Sequence, residues 1–131
     1  MTQMRISEAA ELLGVSGDTV RRMVDSGRLA AGRDEAGRLV VEGADLAAVA
    51  QDVARPAPVG VVSDESARNR MRGIVTRVLT DTVMAQVEMQ CGPFRIVSLM
   101  SREAVEHLGL EVGTVAVASI KSTNVVVGVS R

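Results

Sequence analysis

The sequence predicts an α+β chain of two small units, of which the first is mainly helical and the second is mainly built from strands. Three observations lead to this prediction. Apolar residues recur at helical spacing over the first 51 positions, whereas after residue 65 they alternate with polar residues, as a half-buried strand requires. Between these two regions lies a stretch that contains Pro56 and Pro58 and shows neither the helical nor the strand periodicity. We therefore expect domains at residues 1–51 and 66–131, joined by a linker at residues 52–65.

The composition limits the kinds of protein that this chain can be. A unit of about 65 residues buries only about 60% of its unfolded surface and is marginal alone, so we expect several copies to assemble. The one cysteine, Cys91, excludes a disulfide framework and a cysteine cage for a metal. No apolar run reaches the roughly 18 residues that span a bilayer, and the N-terminus lacks the order of a secretory signal. A cytoplasmic protein with no membrane partner is the simplest interpretation.

The formal net charge of −1 is unevenly distributed along the chain. Residues 1–65 carry seven arginines against eleven acidic residues, which gives a net charge of −4. Residues 66–131 carry seven arginines and one lysine against five acidic residues, which gives +3. The total argues against a protein that coats nucleic acid non-specifically, and the second unit is the more basic of the two.

The first unit has the start and stop signals of two short helices. Ser7 is expected to cap a helix that stops at Gly14, and Ser16 to cap a second helix that Gly27 ends. The second helix has one apolar stripe, formed by Val20, Met23 and Val24. Two helices joined by a turn of about four residues that contains a glycine form a helix-turn-helix.

The residues after these helices predict a wing, with a turn at 34–37, a short strand at 38–41 and a last helix from Gly43 to Gln51. The second helix carries Thr19, Arg21 and Arg22 on the face opposite its apolar stripe. Such a helix can enter the major groove of DNA, where arginine pairs with guanine edges or phosphates. The wing would add contacts to the DNA backbone from Arg28, Arg33 and Arg38.

About the first 50 residues resemble the winged helix-turn-helix of the excisionase and MerR-like DNA-binding family. The markers are Ala9-Ala10, Leu13-Gly14-Val15-Ser16, Thr19-Val20-Arg21-Arg22 and Gly27-Arg28-Leu29. The resemblance implies binding to double-stranded DNA, and the predicted DNA-binding residues are Ser16, Thr19, Arg21, Arg22, Arg28 and Arg38. The alternative is that these arginines only solvate a helix face. Asp25, Asp34 and Glu35 weaken the local field and predict modest affinity unless several copies bind together.

The second unit is predicted to be a small barrel. From Val83 to Met89, apolar and polar residues alternate with a period of two. Ser101 is expected to cap a helix over residues 102–108 that Gly109 ends. Two more strands are predicted at residues 114–121 and 124–129. Five strands with one helix before the last two are typical of an OB-like β-barrel.

Two polar segments of the second unit, at residues 66–69 and 120–122, combine cations with hydroxyl groups. Lys121 is the only lysine among fifteen cationic side chains, which indicates that a compact point charge is required there. Arg68 offers a fork of donors. Cations and hydroxyl donors without an acid or base catalyst beside them are what a tetrahedral oxyanion requires.

This unit resembles the Mop domain, also called molbindin or TOBE. The matching segments are SARNRMRGIV at 66–75, REAVEHLGLEVG at 102–113 and VAVASIKSTNVVVG at 115–128, so the resemblance covers all 66 residues after the linker. Members of this family bind molybdate or tungstate at subunit interfaces. The resemblance therefore implies an OB-like barrel, a molybdate or tungstate ligand and a homo-oligomer, with a hexamer favoured and a dimer as the alternative.

Carried over to this sequence, the resemblance implies an oxyanion site formed by Ser66, Arg68, Ser101, Lys121 and Ser122. Ser101 stands where the family usually has threonine, and Ala104 stands where it often has a second serine, so one hydroxyl ligand is missing. Free N–H groups after Ser101, at a helix N-terminus, would add to an anion cradle. Each residue also has a plain structural interpretation: Ser101 as a cap, Lys121 as a solvated charge and Arg68 as an ion-pair partner.

The two patterns together predict a molybdate- or tungstate-responsive DNA-binding transcriptional regulator. The alternatives are an intracellular molybdate store whose first unit serves assembly, and a recombination accessory factor whose barrel only oligomerises. We expect no enzyme, because no acid–base pair, nucleophile with its base or cofactor loop can be identified. We expect no bare metal ion either, since His107 has no second ligand at metal spacing and Cys91 is interpreted as a small apolar filler.

Overall fold

The computed structural model describes residues 2–60 and 65–130 and divides the chain into two compact units, Met1–Arg55 and Pro56–Arg131. The predicted fold class is confirmed: a helical helix-turn-helix region is followed by a curled antiparallel sheet, and the chain as a whole is α+β. In the described residues, no helix combines the length and the apolar character needed to cross a membrane. Residues 61–64 of the predicted linker lie outside the described residues.

The first unit packs three helices against a three-stranded antiparallel sheet of order β1-β3-β2. Its elements are β1 (Gln3–Arg5), α1 (Ile6–Leu13), α2 (Gly17–Asp25), β2 (Ala31–Arg33), β3 (Leu39–Glu42) and α3 (Gly43–Val53). The sequence did not predict β1, whose three residues pair with β3 from Gln3 opposite Glu42. The Gly43 N–H donates to the Thr2 carbonyl at 2.8 Å and extends this contact. The wing is therefore anchored to the N-terminal segment as well as to its own hairpin.

The helix caps agree with the sequence in one case and differ in the other. Ser16 is confirmed as the N-cap of α2, because its Oγ accepts from the Thr19 N–H at 3.2 Å. The prediction of Ser7 as the cap of α1 is wrong, since α1 begins at Ile6 and Arg5 takes the N-cap position without a side-chain bond. The cause is the strand that precedes the helix: β1 runs directly into α1, and Ile6 is buried in the core. Gly14 ends α1 with the left-handed backbone expected of it.

The core of the first unit is aliphatic and joins all three helices to the sheet. Its largest fully buried side chains are Val20 of α2, Leu29 in the segment after α2, and Val41 of β3. The remaining buried members are Ile6, Ala9, Ala10, Met23, Leu46 and Val49. This packing turns the apolar stripe of α2 inward and leaves Arg21 and Arg22 exposed.

The second unit is a four-stranded antiparallel sheet of order β6-β5-β4-β7 with one short helix. Its elements are β4 (Asn69–Thr80), β5 (Met84–Cys91), β6 (Phe94–Ser101), α4 (Arg102–Leu108) and β7 (Val115–Ile120). The core lies on one face, where Val75, Ala85, Val87, Met89 and Cys91 meet Val105 of α4. Ser101 and Gly109 cap α4 as predicted: the Ser101 Oγ accepts from the Ala104 N–H, and Gly109 adopts the left-handed conformation.

The predicted fifth strand at residues 124–129 is wrong for a single chain. Residues Ser122–Asn124 form a 3-10 turn, and the segment after it pairs with no strand of the described chain. A tight hairpin needs a turn whose twist matches the strands, and a right-handed 3-10 turn does not return the chain along β7. Val126 and Val127 are consequently 93% and 85% exposed. The sheet of one chain stays open where a closed barrel was expected.

Candidate functional site

The start of β4 and the end of β7 bring the two predicted polar segments to one end of the second sheet. Their ladder is antiparallel, and its last pair is Asn69 opposite Ile120. Arg68 and Lys121 are therefore the next residues on two neighbouring strands. The Asn69 side-chain amide donates to the Ile120 carbonyl at 3.1 Å and holds the strands together where the ladder ends. We call this region, with Ser66, Arg68, Lys121 and Ser122, the basic end.

The backbone before β4 sets the direction of the side chains at the basic end. Ala67 is only 4% exposed, whereas its neighbours Ser66 and Arg68 are both exposed. A buried methyl group between two exposed polar residues pins the segment to the sheet and leaves the hydroxyl and the guanidinium in solvent. Lys121 and Ser122 are exposed as well. Within the described residues, neither Arg68 nor Lys121 makes an ion pair, although Arg70 nearby pairs with Glu65 at 3.2 Å.

Ser101 lies at the opposite end of the same sheet. It pairs with Met84 at the start of β5, and the next residue of β5, Ala85, pairs with Thr80 at the end of β4. β4 has 12 residues, so at about 3.3 Å per residue roughly 36 Å of strand separates this end from the basic end. One chain therefore brings together four of the five predicted oxyanion ligands and leaves Ser101 apart from them.

The helix start at Ser101 differs from the predicted anion cradle. The Arg102 N–H donates to the Val83 carbonyl at 2.8 Å, and the Ala104 N–H donates to the Ser101 Oγ at 3.0 Å. The expectation of free N–H groups after Ser101 is thus wrong for these two, and α4 has only seven residues. The Ser101 hydroxyl accepts one bond and keeps its own O–H as a donor. This hydroxyl can therefore donate a hydrogen bond to an anion.

An open depression of about 440 Å³ surrounds Ser101 and is bordered by acidic side chains. It is lined by Thr82, Val83, Ser101, Arg102, Glu103 and Glu106. The Glu106 carboxylate pairs with Arg102 at 3.2 Å, whereas Glu103 is exposed and makes no ion pair within the described chain. We call this region the acidic depression.

Asp81 fixes the turn that borders the acidic depression. Its Oδ1 accepts from the N–H groups of Val83 at 2.8 Å and Met84 at 2.7 Å. The bond from the Met84 N–H is the main cause that lowers the pKa of the Asp81 carboxyl below its usual 3.8. Sequence reasoning missed this residue, although an aspartate in a Thr-Asp-Thr turn is a known signal for such side-chain-to-backbone bonds. It also missed the role of Asn69.

In the first unit, α2 presents the predicted DNA-binding residues on its outer face. Arg21 and Arg22 are exposed, and Arg21 makes a solvent-exposed pair with Asp18 at 3.5 Å. The hydroxyls of Ser16 and Thr19 lie 3.0 Å apart, so both take part in the helix cap. Each hydroxyl keeps further hydrogen-bonding capacity that it can use toward a phosphate.

The wing turn is organised by Asp34. Its Oδ1 accepts from the N–H groups of Ala36 and Arg38, and its Oδ2 accepts from the Arg38 Nε, each at 2.9 Å. The Arg38 backbone N–H is the main cause that lowers the pKa of this carboxyl. Arg33 donates to the Gly37 carbonyl at 2.9 Å. The wing arginines are therefore partly engaged within the turn, while Arg28 is exposed beside it.

The described residues contain no group of three or more His, Cys, Asp or Glu side chains arranged to hold a metal ion. Cys91 is buried in the sheet core, and His107 is exposed in the last turn of α4. The four side chains that define the basic end are cations and hydroxyls, which can donate hydrogen bonds to an anion.

Comparison with known proteins gives a separate match for each unit. Residues 65–127 match the family model of the TOBE domain, and residues 4–53 match that of a helix-turn-helix domain. A probable molybdenum-pterin-binding protein of Haemophilus influenzae is 43% identical over 65 residues, which cover 49% of this chain and 94% of that protein. Molybdenum-pterin-binding protein 3 of Clostridium pasteurianum is 38% identical over 63 residues, which cover 47% of this chain and 93% of that protein.

Among solved structures, this chain is similar to the cytoplasmic molybdate-binding protein ModG with molybdate bound. The two share 40% sequence identity, and the TM-score is 0.49. The match covers 51% of this chain and 48% of that one.

Proposed function

The chain belongs, through its second unit, to the family of TOBE-domain molybdenum-pterin-binding proteins, and from this we propose that it binds molybdate or tungstate and thereby controls its own binding to DNA. The observation that supports this most is the placement of the polar groups. Arg68 and Lys121 lie exposed at one end of a sheet and make no ion pair with any described residue, and Ser101 lies at the other end. The proposed site is therefore formed between copies, with the basic end of one copy meeting the Ser101 end of another.

The chemistry of the basic end suits a tetrahedral dianion. The Arg68 guanidinium supplies a fork of N–H donors, and the Lys121 ammonium supplies a compact charge. Together they balance the two negative charges of molybdate or tungstate. Hydroxyl donors from Ser66, Ser122 and the Ser101 of a second copy would complete the shell. Ala104 offers no hydroxyl, so we expect weaker binding than in a site with a serine there.

Self-assembly is the second part of the proposal, and the last residues of the chain support it. The valine-rich segment after the 3-10 turn is exposed, and the sheet of one chain is open. Exposed apolar segments beside an unpaired sheet edge favour pairing with another chain. We propose a homo-oligomer, with a hexamer favoured and a dimer as the alternative.

DNA binding is assigned to the first unit, which we treat as a domain of residues 1–51 joined by a linker at 52–65 to a second domain of residues 66–131. Arg21 and Arg22 would enter the major groove, with Arg28 and Arg38 beside the DNA backbone. Oxyanion binding between the second domains would change how the DNA-binding domains are held, and DNA would in turn change the affinity for the oxyanion. We propose a cytoplasmic location for this regulator.

The test measures oxyanion binding and DNA binding on the same full-length protein. Calorimetric titration with molybdate, tungstate and sulfate is combined with measurement of the oligomer mass. Lys121→Met and Arg68→Ala should each weaken molybdate binding by about 10- to 100-fold, the range expected when one charge-assisted contact is lost. Arg72→Ala, which removes an exposed arginine further along β4, should leave it unchanged. DNA affinity that is identical with and without molybdate would rule out regulation.

A molybdate store is the second candidate, and one observation favours it. The two curated relatives are covered over 93% and 94% of their length by the second unit, so molybdenum-pterin-binding proteins exist with hardly any sequence outside it. A high ion stoichiometry without DNA binding at low salt would decide for storage.

A further inference from the structure

Glu103 is a carboxylate without a partner in the acidic depression. It is exposed in the first turn of α4, two residues after Ser101, and it makes no ion pair or side-chain hydrogen bond among residues 2–60 and 65–130. The other glutamate of the depression, Glu106, is paired with Arg102. The depression thus presents one uncompensated negative charge beside the Ser101 hydroxyl.

The basic end has the complementary property. Arg68 and Lys121 are exposed on adjacent strands and have no carboxylate partner within the described chain. Two uncompensated positive charges therefore stand at one end of the sheet, and the uncompensated Glu103 stands at the other. The length of β4 keeps these groups apart within one chain, so only a second copy can bring them together.

We propose that Glu103 is the built-in counter-charge of the oxyanion site: without an oxyanion, its carboxylate pairs with Arg68 and Lys121 of a second copy, and the oxyanion displaces it. The inference rests on the proposed function, because that function places Ser101 of one copy against the basic end of another. Ser101 and Glu103 both line the acidic depression, so a contact that covers this depression meets the Ser101 hydroxyl and the Glu103 carboxylate together.

The charge balance favours the oxyanion over the Glu103 carboxylate as the partner of Arg68 and Lys121. One carboxylate neutralises only one of the two cations, whereas a dianion neutralises both and accepts more hydrogen bonds. A monoanion would gain little over the carboxylate that it replaces. Because every anion has to displace the same carboxylate, Glu103 lowers all anion affinities by one common factor, and anions that bind weakly, such as monoanions, are the first whose binding is lost.

The experiment compares the full-length protein with Glu103→Gln and with Glu111→Gln as a matched control. Glu111 is another exposed glutamate of the second unit. Its backbone N–H donates to the Thr114 hydroxyl, its carbonyl accepts from the Thr114 N–H, and its side chain makes no hydrogen bond or ion pair among the described residues. Self-association is measured by sedimentation equilibrium in oxyanion-free buffer, and molybdate affinity by calorimetry. E103Q should weaken association about three- to fivefold, as expected for an ion pair that keeps some solvent contact, and should tighten molybdate binding by a similar factor. E111Q should change neither quantity.

Variants in which the charges of Glu103 and Lys121 are exchanged test whether these two residues pair between copies. Glu103→Lys and Lys121→Glu should each weaken association without oxyanion, and the double variant should recover most of it, because the pair re-forms with its charges exchanged. Wild-type association in E103Q, no recovery in the double variant, or a monomeric wild-type protein would each overturn the inference. Tighter molybdate binding in E103Q with unchanged association would also overturn it, because that result indicates simple repulsion between the Glu103 carboxylate and molybdate. A wild type that associates but binds no molybdate refutes the proposed function, while the association data still decide on the ion pair.

Discussion

Asn69 and Ile120 are connected in two ways at the end of the β4–β7 ladder. They form its last backbone pair, and the Asn69 side-chain amide donates to the Ile120 carbonyl at 3.1 Å. The residues that follow this pair on the two strands are Arg68 and Lys121. The spacing of the two cations is therefore set by a neutral side chain that need not touch the oxyanion. Asn69 is a positioning residue for the proposed site.

Replacing Asn69 tests this positioning role. Asn69→Ala should weaken molybdate binding about three- to tenfold, because the lost bond is worth about 0.5–1.5 kcal/mol and lets the strand ends separate. Gln90→Ala is the control, since it removes a comparable bond from the Gln90 amide to the Gly92 carbonyl in the β5–β6 turn. Calorimetry and thermal unfolding are measured for both. Equal molybdate affinity in the two variants would contradict the positioning role.

Gly73 is expected to tolerate no side chain. A Cβ there would lie 2.6 Å from the Cys91 Sγ and would also collide with the Gln90 carbonyl oxygen. Gly73→Ala should therefore lower the free energy of unfolding by about 1–3 kcal/mol, the usual cost of overpacking. Circular dichroism should follow the unfolding, because the chain has neither Trp nor Tyr. Gly32→Ala in β2, where nothing lies within 4 Å of the added carbon, is the control that should remain near wild type.

Arg22 tests the DNA-binding face of α2. It is exposed and makes no ion pair within the described residues, so Arg22→Ala should weaken DNA binding and, if it contacts phosphate, lower the salt slope by about 1. Arg55→Ala carries the same change in charge at the end of the first unit, where the bonds of Arg55 to described residues go to nearby backbone carbonyls. DNA affinity is measured over a range of salt concentrations. If the two variants lose affinity equally, α2 is not the contact surface.

The turn beside the acidic depression is expected to loosen at acid pH, because the Asp81 carboxylate holds it together. Its pKa is lowered in the folded protein, so the carboxylate contributes stability that is present above the unfolded value and is lost as the pH falls through the lower, folded value. The protection factors of the Val83 and Met84 amides against hydrogen exchange should therefore fall below about pH 4. Asp81→Asn should remove this pH dependence, because the amide does not titrate. Protection that stays constant down to acid unfolding would refute the role of the carboxylate.

Local signals in the sequence predicted much of the fold. Ser16 and Ser101 cap α2 and α4 as expected, and Gly14 and Gly109 end α1 and α4, because a cap depends on a few neighbouring residues. The burial of Val20 and Met23 on one face of α2 follows from helical spacing in the same way. The alternation predicted from Val83 to Met89 is correct for the buried Ala85, Val87 and Met89. It is wrong at Val83, which is exposed, and at Glu88, which is buried.

The features that the sequence did not predict depend on pairing between distant residues. β1 is a strand only because β3 is available beside it, and the same contact moves the start of α1 to Ile6. The valines after the 3-10 turn have the composition of a strand but no partner in one chain. Candidate ligands could be named individually from the sequence. Their division between two ends of a sheet required the register of β4 with both of its neighbours.

The separation of Ser101 from Arg68 along β4 links ion sensing to the amount of protein present. Under the proposed function a single chain does not contain a complete oxyanion site. Ion binding therefore weakens when the protein is diluted and strengthens when its concentration rises. A cell that makes more of this protein thereby lowers the ion concentration at which the protein responds.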